Sequence, residues 1–166
     1  PDGDVIWEKN YGGDGEDEGQ YILLNGDGSF ILVGDKSVNP ADSNDFDVNI
    51  TKTDANGNIQ WQKKYGGNKK DVVKMIQATK DGGYIIAAIT RSFALEPDYW
   101  VMKIKSNGDT SWTRMFGGID HEHCYAVKQT SDGGYIVAGH SDSFEKDNLE
   151  AYILKLTASG ELRPVG

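Results

Sequence analysis

Three carboxylates recur at one place in this chain. Asp17, Asp71 and Glu122 each stand four residues past the second glycine of an aromatic-Gly-Gly triplet: Tyr11-Gly12-Gly13, Tyr65-Gly66-Gly67 and Phe116-Gly117-Gly118. Acids brought together in this way can bind a cation, or can accept hydrogen bonds from turn N–H groups. Basic residues recur as regularly, at Lys9, Lys63 and Arg114 and again at Lys52, Lys103 and Lys155. A residue type present in every unit fits an architectural role, such as ion pairs between neighbouring units or carboxylate-capped turns. The functional alternative is an acidic ring around a shared mouth.

Features found once carry more information about chemistry. The run Asp14-Gly15-Glu16-Asp17-Glu18 packs four carboxylates into five residues. Asp14, Glu16 and Asp17 are the calcium candidates, against the alternative of a solvated loop. Asp54-Ala55-Asn56-Gly57-Asn58 opens like a calcium loop but has Tyr65 where the closing glutamate would stand, so a hairpin turn explains it. His121 and His123 would point to one face of an extended strand, which suits two imidazole ligands of a metal. Cys124 beside His123 could suggest a nucleophile and its base, but adjacent strand residues face opposite ways. Aromatic residues in or beside the variable connections, Phe93, Trp100 and Tyr152 among them, could form a platform for a glycan. The competing reading for Trp100 and Tyr152 is packing between sheets.

The elements that position these residues follow from an internal repeat. Trp7, Trp61 and Trp112 are spaced 54 and 51 residues apart, and each precedes its aromatic-Gly-Gly triplet by four residues. Asp27-Gly28, Asp81-Gly82-Gly83 and Asp132-Gly133-Gly134 mark hairpin turns, because such pairs supply the residues with positive φ that tight turns need. Each unit then predicts four strands. The first spans 18–25, 72–79 and 123–130; the second 30–36, 84–90 and 135–141; the third 46–53, 99–105 and 150–156. The fourth carries Trp61 or Trp112. Tyr84-Ile85-Ile86-Ala87-Ala88-Ile89 and Tyr99-Trp100-Val101-Met102 are continuously apolar, which predicts strands covered on both faces.

The fold expectation is all-β: β-propeller-type blades, three four-stranded repeats of about 52 residues in a single repeat domain over 1–166. The repeat units are about 11–64, 65–115 and 116–166, with 1–10 as a closing strand that completes a last blade. A β-trefoil is the alternative, since it also has three four-stranded repeats. Gly3, Gly57, Gly108 and Gly160 occupy matching positions, but Pro164 stands where the others have tryptophan, so Glu161–Gly166 makes a poor fourth strand. Three blades are fewer than usually close a ring. A homodimer closing a six-bladed ring, each copy giving its first strand to the other, is one expectation; neighbouring blades of a longer protein are the other.

The bulk composition narrows the function classes. A net charge of -9 argues against a nucleic-acid surface, and no apolar run reaches membrane-spanning length, so no membrane insertion is expected. A single cysteine, Cys124, forbids an intrachain disulfide.

The unit Trp61-x-Lys63-x-Tyr65-Gly66-Gly67, then Asp71, then Thr79-x-Asp81-Gly82-Gly83-Tyr84-Ile85, then Lys103 and Asn107-Gly108, resembles a tandem repeat of many bacterial and archaeal secreted and surface proteins. Those are predicted β-propeller-like arrays. The resemblance covers nearly the whole chain, with departures at Asn25, Ser29, Phe30 and Pro164. It implies an extracellular, cell-surface or periplasmic binding or scaffold role, and it carries over no catalytic residue. The functional expectation is a non-enzymatic binding module with a protein or glycan ligand on the loop face, using Asp17, Asp71, Glu122, Phe93, Trp100 and Tyr152. No cofactor is expected beyond a possible calcium. The alternative is a metal-dependent hydrolase or lyase on a propeller scaffold.

Overall fold

The computed structural model describes residues 2–39, 41–42, 45–144 and 148–163. Pro164, expected to spoil a fourth strand, lies outside them. Among the described residues there are eleven strands and no helix, so no helix crosses a membrane. The strands form three antiparallel sheets that follow the three sequence units in order. The first contains β1 (Asp17–Leu24), β2 (Phe30–Ser37), β3 (Phe46–Thr53) and β4 (Ile59–Tyr65). The second contains β5 (Asp71–Ala78), β6 (Tyr84–Thr90), β7 (Asp98–Ile104) and β8 (Thr110–Phe116). The third contains β9 (Glu122–Gln129), β10 (Tyr135–Ser141) and β11 (Glu150–Leu156). Each is a meander in which sequential strands pair.

The register repeats from sheet to sheet. Phe30, Tyr84 and Tyr135 pair with Thr53, Ile104 and Leu156. A register shift interrupts the first strand pair of every sheet at the same place, opposite Gly34, Ala88 and Gly139. The tight turns hold Gly28, Gly82 and Gly133 at φ of 80, 78 and 81°. That left-handed region is costly for any residue with a Cβ, so these turns select glycine.

Several boundaries differ from the sequence expectation by one residue, β2 among them, which runs to Ser37 and not 36. Each first strand begins one residue earlier, at Asp17, Asp71 and Glu122, because these residues themselves pair with Lys36, Thr90 and Ser141. The third strand of the second sheet is 98–104, not 99–105.

The sheets stack face on face. β5 lies against β1, β2 and β3, and β9 lies against β5, β6 and β7. Each sheet has a leading face, which looks toward the next sheet, and a trailing face, which looks toward the one before. Ile31, Val33, Val48 and Ile50 on the first sheet's leading face meet Val73, Ile76, Ile86, Ala88, Trp100, Met102 and Ile104 on the second sheet's trailing face. Ile85, Ala87, Ile89, Tyr99 and Val101 on the second sheet's leading face meet Cys124, Val127, Tyr135, Val137, Leu154 and Leu156 of the third. Strand alternation thus sends neighbouring residues of β6 into opposite cores. β6 is buried along its whole length, so the unbroken apolar run does mark double coverage there. The end sheets are covered on one face only: Ile136 and Ile153 of the third sheet remain exposed on its leading side.

Residues 2–13 form no strand and pair with none. In the single chain they therefore do not complete the third sheet, which has three strands among the described residues.

Candidate functional site

The recurrent carboxylates sit at the junctions between sheets. Asp71 is fully buried; it accepts hydrogen bonds from Gly67 N at 3.0 Å, Thr90 Oγ1 at 2.5 Å and Ser92 Oγ at 2.6 Å. Glu122, also fully buried, accepts from Gly118 N at 2.9 Å and Ser141 Oγ at 2.5 Å. Asp17 accepts from Gly13 N at 2.6 Å and lies 3.7 Å from Lys36 Nζ. Each acid therefore closes its own Gly-Gly loop onto the start of its strand.

A second acid faces each of the buried two. A Cβ on Gly66 would stand 1.8 Å from Asp47 Oδ1 and 2.9 Å from Asp71 Oδ2. A Cβ on Gly117 would stand 2.1 Å from Asp98 Oδ1 and 2.4 Å from Glu122 Oε2. These glycines are glycine because two carboxylates close over them. Burial, and then a hydrogen bond and charge repulsion from Glu122, raise the pKa of Asp98. Burial raises that of Asp47 too, with Lys64 opposing and Asp71 and Asp45 adding to it. Such a pair holds a shared proton more easily than two charges. The repeated lysines are equally structural. Lys103 Nζ reaches Asp81 Oδ2 at 2.9 Å and Lys155 Nζ reaches Asp132 Oδ1 at 2.9 Å, tying the third strands of the second and third sheets to their first turns.

The aromatic candidates form two equivalent pairs. Phe93 lies 5.2 Å from Trp100, and Phe144 lies 5.0 Å from Tyr152. Trp100 is buried in the first core, with its Nε1 donating to Thr113 Oγ1. Tyr152 packs against the second core and against Tyr99 at 5.2 Å. Phe93 and Phe144 are about half exposed. A loop aromatic capping a strand aromatic is therefore a repeated packing device, with only its loop member offered to solvent. In the first sheet the strand aromatic is replaced by Asn49.

The metal candidates do not come together. Among the described residues no group of three or more His, Cys, Asp or Glu is gathered as a metal site. Asp14 and Glu16 are exposed while Asp17 is turned to Gly13 and Lys36. His121 Nε2 lies 3.1 Å from Glu96 Oε2, and its Nδ1 lies 3.5 Å from Asp142 Oδ2. His123 instead stacks on His140 across the β9–β10 pair, at 5.1 Å and 20°. Burial first, and then the neighbouring charge of His140, lower the pKa of His123. Cys124 is buried, with its thiol pushed up to about 12 by desolvation and donating to Ala88 O. That removes it as a nucleophile.

One concave site was not anticipated. Where β1, β5 and β9 come side by side, a hollow of about 370 Å³ is lined by Lys70, Lys74, Arg91 and His123, with Glu18 and Asp35 on the first sheet's side. A second hollow of about 480 Å³ continues from it along Lys69, Lys70 and Arg91. Lys70 Nζ lies 5.2 Å over the Phe46 ring, which holds the cation at the rim. Asp35 closes the floor; it accepts from Val73 N at 2.8 Å, and burial pushes it up to about 6. This basic patch, in a chain of net charge -9, is confined to the middle unit. Where the second sheet has Lys70, Lys74 and Arg91, the first has Glu16, Gln20 and Ser37 and the third has His121, Tyr125 and Asp142, by the register of the first two strands. The signal was legible as three basic residues that break the repeat.

No protein-family model matches the chain, and no curated protein matches it significantly.

Proposed function

We propose that the chain is a non-enzymatic binding module of extracellular, cell-surface or periplasmic setting, built from propeller-type blades. Its ligand carries carboxylate or sulfate groups, as an acidic glycan or an acidic protein segment does. The observation that supports this most is the hollow beside β1, β5 and β9, where Lys70, Lys74 and Arg91 come together. Binding residues concentrate on loops held by a rigid frame, and fixed cations over an apolar wall favour anions in a partly desolvated place. The stacking of three meander sheets, two of four strands and one of three among the described residues, each packed against the next, supports blades over a trefoil.

The test is calorimetric titration with polygalacturonate and poly-glutamate, with dextran as the neutral comparison. Binding of a polyanion, weakened at least about tenfold by Lys70→Ala with Arg91→Ala and weakened by added salt, is the expected result. Equal binding of dextran, or polyanion binding that survives both substitutions, overturns the proposal.

A further inference from the structure

Two faces of the stack are left without a neighbour, and they are the two halves of a contact the chain already makes twice. On the third sheet's leading face, Ile136 is 39% and Ile153 61% exposed. Their register equivalents, Ile31 and Ile50 in the first sheet and Ile85 and Val101 in the second, are fully buried. On the first sheet's trailing face, Ile22 is 58% exposed, whereas its equivalents Ile76 and Val127 are fully buried. Ile22 and Leu32 line a cavity of about 460 Å³ there, bounded by Lys9, Tyr11 and Asn49. Asn49 stands where Trp100 and Tyr152 fill the same space in the other sheets.

The N-terminal segment points to the same contact. It is laid on the first sheet as β4 is laid on the second and β8 on the third. Tyr11 Oη donates to Gly57 O at 2.7 Å, as Tyr65 Oη donates to Gly108 O. Lys9 Nζ reaches Asn58 Oδ1 at 2.7 Å, as Lys63 Nζ reaches Asp109 Oδ1. Trp7 meets Phe30 edge-on at 6.0 Å and 71°, as Trp112 meets Tyr135 at 5.7 Å and 64°. Gly3 has φ +83°, close to the 75°, 82° and 81° of Gly57, Gly108 and Gly160 in the turns after β3, β7 and β11. The segment therefore takes, against the first sheet, the place that a fourth strand takes against the next sheet. Among the described residues β11 has only the beginning of a fourth strand, the Leu156↔Leu162 bridge and the Arg163 N donation to Lys155 O at 3.0 Å.

We propose that the leading face and β11 edge of the third sheet dock a second copy of this chain, through the copy's trailing first sheet and its N-terminal segment. Ile136 and Ile153 fill the cavity over Ile22 and Leu32. The register of β3 with β4 and of β7 with β8 sets the new strand pair: Ile50↔Lys63 and Val101↔Arg114 translate to Ile153 with Lys9 of the second copy. The rungs at Leu156 and Lys155 are taken by Leu162 and by Arg163 N, so pairing begins beyond them. Charge also fits. The two existing junctions pair Asp47 with Asp71 and Asp98 with Glu122. The unpaired members are Glu150 and Asp17, and here Lys36 replaces the hydroxyls of Thr90 and Ser141, adding a cation between two acids. Two such contacts related by a two-fold axis close a ring of six sheets. The docking cavity shares Glu18, Gln20 and Asp35 with the cationic hollow but none of its cations, so the contact stands whether or not that hollow binds an anion.

The experiment is sedimentation equilibrium on the whole chain, together with oxidative cross-linking of Lys9→Cys with Ile153→Cys. The expected mass is that of two chains, about twice 18.2 kDa. The cysteine pair gives an intermolecular disulfide, while Asn10→Cys with Ile153→Cys, whose side chains face opposite ways, does not. Ile153→Glu raises the dimer dissociation constant at least about 100-fold with an unchanged circular dichroism spectrum, since Ile153 is exposed in the single chain. A single-chain mass at the highest soluble concentration overturns the proposal, as does a dimer that survives Ile153→Glu or that cross-links only through Asn10→Cys.

Discussion

Replacing Asp71 by alanine separates the architectural from the functional meaning of the recurrent acids. The substitution leaves Gly67 N, Thr90 Oγ1 and Ser92 Oγ without their acceptor in a fully buried place. An orphaned buried donor costs about 1–3 kcal/mol, and hydroxyls that can rotate to another partner fall at the low end. Asp47 gains, because its like-charged neighbour is gone, and the relief is about 1 kcal/mol at a screened junction. The net loss expected is about 2–4 kcal/mol, a large share of the roughly 5–15 kcal/mol typical of a domain. Asp17→Ala is the internal comparison. It strips Gly13 N, which is exposed and can turn to water, and a partly exposed ion pair with Lys36, so about 1 kcal/mol or less is expected. Urea unfolding of both variants, followed by tryptophan fluorescence, measures the difference. Equal losses, or a loss under about 1 kcal/mol for Asp71→Ala with polyanion binding abolished, would refute the architectural assignment.

Burial sets three further outcomes. Asp35 is pushed up to about 6 from an ordinary 3.8, chiefly by burial, so its contribution is fully present below the unfolded value and fades as pH rises through the folded one. Urea stability should therefore fall by roughly 2–3 kcal/mol between about pH 4 and 7 on this account, and Asp35→Asn should flatten that fall. Native Cys124 should resist iodoacetamide at neutral pH, with labelling appearing only as the chain unfolds, because the buried thiol is held to about 12. Trp100→Ala should cost about 3–5 kcal/mol in chemical denaturation, whereas Phe93→Ala, on a half-exposed loop, should cost about 1 kcal/mol or less.

The repeat made the strands legible because the Asp-Gly turns and the aromatic-Gly-Gly triplets bracket them at fixed distances. The β6 run was readable as doubly covered, since alternation fails only where both faces lack water. In the third unit Tyr135-Ile136-Val137-Ala138 is nearly as apolar, but Ile136 meets no neighbouring sheet within the chain. Sequence shows that a face is apolar; it does not show what arrives to cover it. The sites were harder. The repetition of Asp17, Asp71 and Glu122 favoured an architectural role over an acidic mouth, and two of the three are fully buried. The His121 and His123 spacing assumed one continuous strand, but β9 begins at Glu122, so His121 stays in the loop with Glu96 and Asp142. The cationic hollow escaped notice because its residues come from the loop before β5, from β5 itself and from the bend after β6, and match no motif. Only comparing the three units position by position exposes Lys70, Lys74 and Arg91 as departures.

β6 forms a wall common to both cores, its even-numbered residues in one and its odd-numbered residues in the other. Stacked repeats often lose their cooperativity one unit at a time. Here neither core can melt without exposing half of the same strand, so the loss of one removes the backing of the other. The amides of β6 should be the last in the chain to exchange with deuterium, and their rate should report the unfolding of the whole stack. The outer units, each packed on the middle sheet, should gain their final order after the middle unit has gained its own.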